Sequence, residues 1–271
     1  MMSTLFPAFR TSLRIVSDVL PPSRLFDLTG QVAVVTGASS GLGERFVRVL
    51  LAAGSSVVAV ARRADRLEAL AAGNEAVLTV TADVADPEQV ERIVPAALEQ
   101  FGRLDVLVNN AGLGVPAPAV SEDLDSFRYT LDVNLVGAFH LARRAAVPML
   151  EAGSGSIINI SSVLGLVAAW PIPNASYSAS KGALVNLTRD LACQWGSKGV
   201  RVNAMAPGFF PSESTTEMAE EGGQKLIRTG CPMKRMGRAE ELDGALLFLA
   251  SGASTYMTGQ VLTVDGGWTA H

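Results

Sequence analysis

From Gln31 onward the chain alternates between two hydrophobic patterns. Short, nearly continuous β-branched runs occur at Val32–Val35, Val57–Val60, Val77–Val80, Val106–Val108, Ile157–Ile160, Val200–Val202 and Val261–Val264. Such runs read as strands covered on both faces, because an exposed face would show polar alternation. Segments with helical apolar spacing lie between them, among them Glu44–Ala53, Pro87–Phe101 and Ala175–Trp195. Gly54 is placed to stop the first of these helices. Asp86-Pro87 is placed to open the second, with Asp as N-cap and Pro at the first helical position. Seven strands with helical crossovers predict an α/β fold with a doubly wound, seven-stranded parallel sheet. No linker or repeat divides residues 28–271, so they read as one domain.

Residues 1–27 do not share this pattern. They carry Arg10 and Arg14, several Ser and Thr, and no acid before Asp18, and Pro21-Pro22 is expected to stop any helix there. The segment reads either as a docking helix or as a targeting-like extension. Composition narrows the rest. The 271 residues are 48% hydrophobic, which excludes a disordered chain. A formal net charge of −4 argues against a nucleic-acid partner. No apolar run reaches the roughly 18 residues of a membrane span. Cys193 and Cys231 are too few for a disulfide framework and read as reduced thiols, which points to the cytoplasm, with organellar import left open by the N-terminal segment.

The first strand leads into Thr36-Gly37-Ala38-Ser39-Ser40-Gly41-Leu42-Gly43 and then a helix. Glycines in such a turn let a pyrophosphate approach the backbone, and the helix N-terminus offers it free N–H groups. The spacing is TGxxxGxG. Further along stand Asn109-Asn110-Ala111-Gly112, Asn134, Ser161-Ser162, Tyr177-Ser178-Ala179-Ser180-Lys181 and Pro207-Gly208, each beside a predicted strand end or helix start. In this order, from about Leu28 to Gly267, the motifs resemble the short-chain dehydrogenase/reductase family of the compact single-domain kind. The resemblance implies a Rossmann-type fold and hydride transfer between a nicotinamide cofactor and a carbonyl or secondary alcohol.

Tyr177 and Lys181 are four residues apart, so on a helix they share a face, with Cβ atoms roughly 5–6 Å apart. A cation that close is expected to lower the phenol from its usual pKa of about 10, making Tyr177 an acid/base. The resemblance adds that Lys181 binds the nicotinamide ribose, that Ser162 bonds the substrate oxygen, and that Asn134 holds a water linking the lysine to solvent. Ser161 is the alternative to Ser162, since strand alternation points the two in opposite directions. The cofactor contacts implied are Gly37, Ser39, Ser40, Gly41, Leu42, Gly43, Asp83 and Val84 near the adenine, Asn110, Ala111, Gly112, Tyr177, Lys181, Pro207, Gly208 and Thr215. His140 and His271 show no paired spacing, so no metal site is expected.

Cofactor choice is read at the end of the second strand. Ala61 stands where NAD-dependent relatives carry an acid, and Arg62 follows, a guanidinium suited to a 2′-phosphate. The expectation is therefore NADP, with Ser39 and Ser40 as added donors and Arg63 pairing with surface acids. Leu164, Val167, Trp170, Ile172, Phe209, Phe210 and Met218 are candidates to line the substrate end, which predicts a medium-sized, largely apolar ketone. The alternatives are a 3-oxoacyl thioester reductase and a non-catalytic cofactor-sensing scaffold. The resemblance also implies a homotetramer, with Leu184, Leu187, Leu191 and Trp195 serving a core face and an interface, and Asp265-Gly266-Gly267-Trp268 joining a second interface.

Overall fold

The structure is a computed structural model and describes residues 19–211 and 221–270. Seven parallel strands form one sheet: β1 (Val32–Thr36), β2 (Ser56–Ala61), β3 (Val77–Thr81), β4 (Val106–Asn109), β5 (Gly155–Ile160), β6 (Val200–Pro207) and β7 (Val261–Val264). Their order is β3-β2-β1-β4-β5-β6-β7, the doubly wound arrangement expected. The order reverses between β1 and β4, and ligands of such sheets collect outside the strand ends at that reversal.

Helices cover both faces. They are α1 (Pro22–Leu25), α2 (Gly41–Ala52), α3 (Ala64–Ala71), α4 (Pro87–Val90), α5 (Ile93–Phe101), α6 (Leu124–Leu131), α7 (Gly137–Ala152), α8 (Ala175–Trp195), α9 (Glu221–Gly230) and α10 (Asp243–Ala250). Alternation along β1 shows why both faces need cover. Ala33 and Val35 pack with Phe46 and Leu50 of α2 and Leu246 and Leu249 of α10. Val32 and Val34 pack with Ile93 of α5, Leu141 and Met149 of α7, and Leu191 of α8.

Several boundaries differ from those the spacing predicts. Pro22 opens a short helix instead of only ending one, because proline fits the first helical position. The helix after β1 starts at Gly41, three residues early, so its unbonded N–H groups belong to the glycine motif itself. Asp86 does cap α4, accepting from the N–H groups of Glu88 and Gln89. The helical stretch it opens is broken at Glu91-Arg92, however, since Pro95 has no N–H to give the Glu91 carbonyl. β6 runs on to Pro207, which pairs with Val264 at the sheet's outer strand. Leu184 and Leu191 are buried in the core and leave no apolar surface for an interface, while Leu187 and Trp195 pack partly against it.

Candidate active site

The loops after β1 to β6 enclose a cleft of about 560 Å³. At one end lie Gly37, Ser39–Gly43, Arg62, Arg63, Asp83, Val84, Asn110, Ala111, Gly112, Pro207 and Gly208. Gly37 has φ +68°, a conformation that favours glycine. Gly43 is required for space, because a Cβ there would overlap the carbonyl oxygen of Gly37 and come within 2.6 Å of Asn110 Nδ2. Thr36 ties the loops together. Its Oγ1 accepts from the N–H groups of Asn110 at 3.0 Å and Ala111 at 2.9 Å, and its carbonyl accepts from Asn110 Nδ2 at 2.8 Å. Thr36 serves by holding other residues, a role that nothing in the TGxxxGxG spacing marks.

The two arginines sit differently from the expectation. Arg63, not Arg62, points into the glycine loop: its Nε donates to Ser39 Oγ at 3.1 Å and its Nη2 to Ser40 Oγ at 2.6 Å. Arg62 leans toward Tyr129 and donates to its hydroxyl at 3.0 Å, with Asp83 Oδ2 at 3.7 Å. Adjacent residues in extended backbone face opposite ways, and Arg63 is the extended residue just before α3.

At the other end stand Ser162, Tyr177 and Lys181. Ser162 follows β5, and its hydroxyl accepts from Leu164 N–H at 3.2 Å and lies near enough to the Tyr177 phenol to favour its ionised form. Ser161 turns the opposite way and donates to the Lys181 carbonyl at 2.9 Å. Burial pushes the Tyr177 phenol up, and Ser162 opposes that rise. The expected lowering by Lys181 is not found. Lys181 Nζ donates to the Ile160 carbonyl at 2.8 Å and lies 5.6 Å from the Tyr177 ring centre. Burial pushes the lysine itself down to about 8, so the site disfavours charge on both groups.

Asn134 lies in a π-helical turn, Asp132–Val136, between α6 and α7. Its Oδ1 accepts from Leu113 N–H, and its Nδ2 donates to the Leu113 carbonyl and to Ser180 Oγ, all within 2.9 Å. Asn134 therefore pins the loop after β4 to α8. A Cβ on Gly112 would stand 3.1 Å from Lys181 Nζ and 3.3 Å from Asn134 Oδ1, so that glycine keeps the floor open between them.

The substrate end is lined by Leu164, Trp170, Ile172, Phe209 and Phe210 as expected, and also by Ala169, Asn174 and Leu226. Val167 does not line it and is partly exposed. Trp170 stands at the mouth, 82% exposed. Trp268 packs edge-on against Phe209 at 4.7 Å, which supports the cleft floor. His140 is bound to Glu91 away from the cleft. Thr215, Met218 and His271 lie outside the described residues.

A family model described as Enoyl-(Acyl carrier protein) reductase matches residues 37–269. The chain belongs to the short-chain dehydrogenase/reductase family. It is thus an NAD(P)-dependent oxidoreductase acting on CH–OH groups. It is similar to a galactitol 2-dehydrogenase (L-tagatose-forming) of Cereibacter sphaeroides, with 38% identity over 90% of this chain and 97% of that one. A cis-4-hydroxycyclohexanecarboxylate dehydrogenase of Sinomonas cyclohexanicum is 39% identical, over 89% and 97%. Among solved structures, a gluconate 5-dehydrogenase of Burkholderia cenocepacia in complex with NADP and tartrate superposes with a TM-score of 0.88. It shares 34% identity over 92% of this chain and 99% of that one.

The residues present fit the family's dinucleotide. Lys181 Nζ spends one of its three donors on Ile160 and faces the cleft with the others, suited to ribose hydroxyls. The N-terminus of α2 presents main-chain donors for a pyrophosphate. Among the described residues, no helix is long and apolar enough to cross a membrane.

Proposed function

We propose that this enzyme transfers hydride between NADP(H) and a medium-sized, largely apolar ketone or secondary alcohol. The observation that carries the chemistry is the convergence of Ser162, Tyr177 and a buried Lys181 on one cleft. The bound dinucleotide supplies or accepts the hydride. Ser162 holds and polarises the carbonyl oxygen. Tyr177, neutral in its buried setting, gives that oxygen a proton in reduction and recovers one in oxidation. Lys181 binds the ribose, and Ser162 is the group that favours the phenolate that proton transfer leaves. Asn134 holds the loop and lysine in place for proton exchange with solvent.

NADP is favoured by Arg63 with Ser39 and Ser40, a cluster of donors where Ala61 offers no carboxylate to repel a 2′-phosphate. An apolar substrate is favoured because Leu164, Ala169, Trp170, Ile172, Phe209 and Leu226 surround the catalytic pair. Among the described residues, Arg62, Arg63 and Asp83 lie toward the dinucleotide end of the cleft, and Lys181 is the one charged group beside Ser162 and Tyr177. With Lys181 assigned to the ribose, that arrangement leaves a sugar acid no further cation to pair with among the described lining residues. Val136, Phe139 and Val147 are about half exposed along one stretch of α7 and its preceding turn, and they support association into a homotetramer. The free thiols Cys193 and Cys231 suit a reducing, cytoplasmic setting.

Tyr177→Phe tests the mechanism. It is expected to lower kcat by about 10²–10⁴-fold, the usual contribution of a positioned acid/base, while NADPH still binds. A variant keeping most of its activity on a working ketone overturns it. A panel of cyclic ketones, sugar acids and acetoacetyl thioesters tests the substrate class. Turnover confined to the last two defeats the apolar assignment.

A further inference from the structure

Asn174 stands immediately before α8, three residues ahead of Tyr177, and lines the same cleft. An asparagine at this place has an ordinary structural use, which is to cap the free N–H groups of the first helical turn. That use is not made here. The residue sits at φ −156°, ψ 66°, and its side chain forms no capping bond. Its Oδ1 is closed to solvent and accepts no hydrogen bond. The main chain, by contrast, is held on both sides. The Asn174 carbonyl accepts from Ser178 N–H at 3.0 Å, and Pro173 O accepts from Ala117 N–H at 3.0 Å beside a parallel bridge between Ala117 and Asn174. A fixed backbone thus carries an amide whose oxygen has no bond to lose by turning about its last torsion. Buried polar atoms without partners are uncommon, and turning into the cleft to meet a donor removes the penalty.

The surroundings narrow the donor. Beyond Ser162 and Tyr177, and beyond Ser161 and Lys181, which are bonded to main-chain carbonyls, the described residues at this end of the cleft are apolar apart from Asn174. Asn174 lies outside the helix proper, and three residues of extended chain reach at most about 10 Å, a separation that a six-membered ring bearing a hydroxyl and a carbonyl can span. We propose that Asn174 is a specificity residue that accepts a hydrogen bond from a substrate hydroxyl placed across a ring from the reacting carbonyl. The preferred substrates are then hydroxylated alicyclic ketones, or the matching diols in the oxidative direction. This rests on Ser162 and Tyr177 being the carbonyl-binding pair.

The experiment compares 3- and 4-hydroxycyclohexanone with cyclohexanone on NADPH-saturated enzyme, and the binding of cis-1,4-cyclohexanediol with that of cyclohexanol on the NADP-saturated enzyme by calorimetry. Wild type is expected to favour one hydroxylated ketone on the order of tenfold in kcat/KM, the usual size for one uncharged hydrogen bond. Asn174→Leu brings the ratio close to one, and Asn174→Asp, which keeps an acceptor, retains most of it. The ratio is taken on one preparation, so it is independent of the active fraction. Asn174→Ser, whose hydroxyl is shorter, replaces Asn174→Leu if that variant does not fold. Turnover without preference, or a preference that survives Asn174→Leu, overturns the assignment. Discrimination in binding without turnover of any ketone keeps Asn174 and defeats the proposed chemistry. Neither binding nor turnover of any of these compounds overturns both.

Discussion

Lys181 is costly for this protein to fold around, and replacing it exposes that cost. Its ammonium is buried with a hydrogen bond to Ile160 O at 2.8 Å, and burial pushes its pKa from 10.5 to about 8. A lowering of that size corresponds to about 3 kcal/mol against the charged form. The folded pKa lies below the unfolded one, so the folded protein holds this proton less tightly. The penalty is therefore full below about pH 8, fades as the pH rises towards that of a free lysine, and is absent above it. Methionine keeps the volume of the stem and removes the charge. Against that gain stands the lost bond to Ile160, about 1–2 kcal/mol. Lys181→Met is then expected to stabilise the cofactor-free protein by about 1–2 kcal/mol near pH 7 while abolishing turnover. Its melting temperature rises by a few degrees. The advantage shrinks and reverses by about pH 10, where only the lost hydrogen bond remains. Urea or thermal unfolding of both proteins, stripped of dinucleotide, at neutral and alkaline pH measures this. A variant less stable than wild type at neutral pH, or a gap that ignores pH, refutes the reasoning.

Two further outcomes follow from the dinucleotide end. Gly43→Ala forces a methyl onto the Gly37 carbonyl and Asn110 Nδ2, so it should cost about 1–3 kcal/mol of stability and weaken dinucleotide binding measured by fluorescence titration; an unchanged dissociation constant counts against a tight loop. Arg63→Ala should weaken NADPH binding by roughly 10–100-fold, the range for charge-assisted bonds, and more than Arg62→Ala does, with NADH affected less; equal losses for both cofactors argue against a phosphate role.

The sheet was legible because its strands are buried on both sides and therefore read as unbroken β-branched runs, as in Val57–Val60 and Ile157–Ile160. Helix α8 was legible to both ends because its apolar residues recur over 21 positions. The π turn at Asn134 was not, since one extra residue barely disturbs apolar spacing over so short a stretch. Alternation shows that Ser161 and Ser162 face opposite ways, but not which faces the cleft; that needs the fold, where Ser161 turns to the Lys181 carbonyl. The choice between Arg62 and Arg63 needed the backbone at the start of α3, which composition does not encode. Asn174 carried a residue type common at helix starts, and only the missing capping bond sets it apart.

What holds Ser162 and Tyr177 in register is a polar framework, not the apolar core around it. Asn109 Nδ2 donates to the Ala138 carbonyl and to Asn159 Oδ1, both at 3.0 Å, joining β4 to α7 and β5. Asn159 Nδ2 then donates to Thr188 Oγ1 at 2.9 Å, and that hydroxyl to the Leu184 carbonyl at 2.8 Å, joining β5 to α8. Nearer the cleft, Ser161 Oγ meets the Lys181 carbonyl, and Lys181 Nζ returns to Ile160. Gly165 lets the chain after Ser162 lie against the backbone of Lys181 and Gly182, where a Cβ would come within 2.6 Å. Hydrophobic contact is non-directional, so an apolar seam alone would tolerate α8 sliding along the sheet. Buried amides and hydroxyls do not, because a slip of one residue leaves several of them unpaired at once. Ser162 and Tyr177 thus inherit their geometry largely from Asn109, Asn159 and Thr188, none of which lines the cleft.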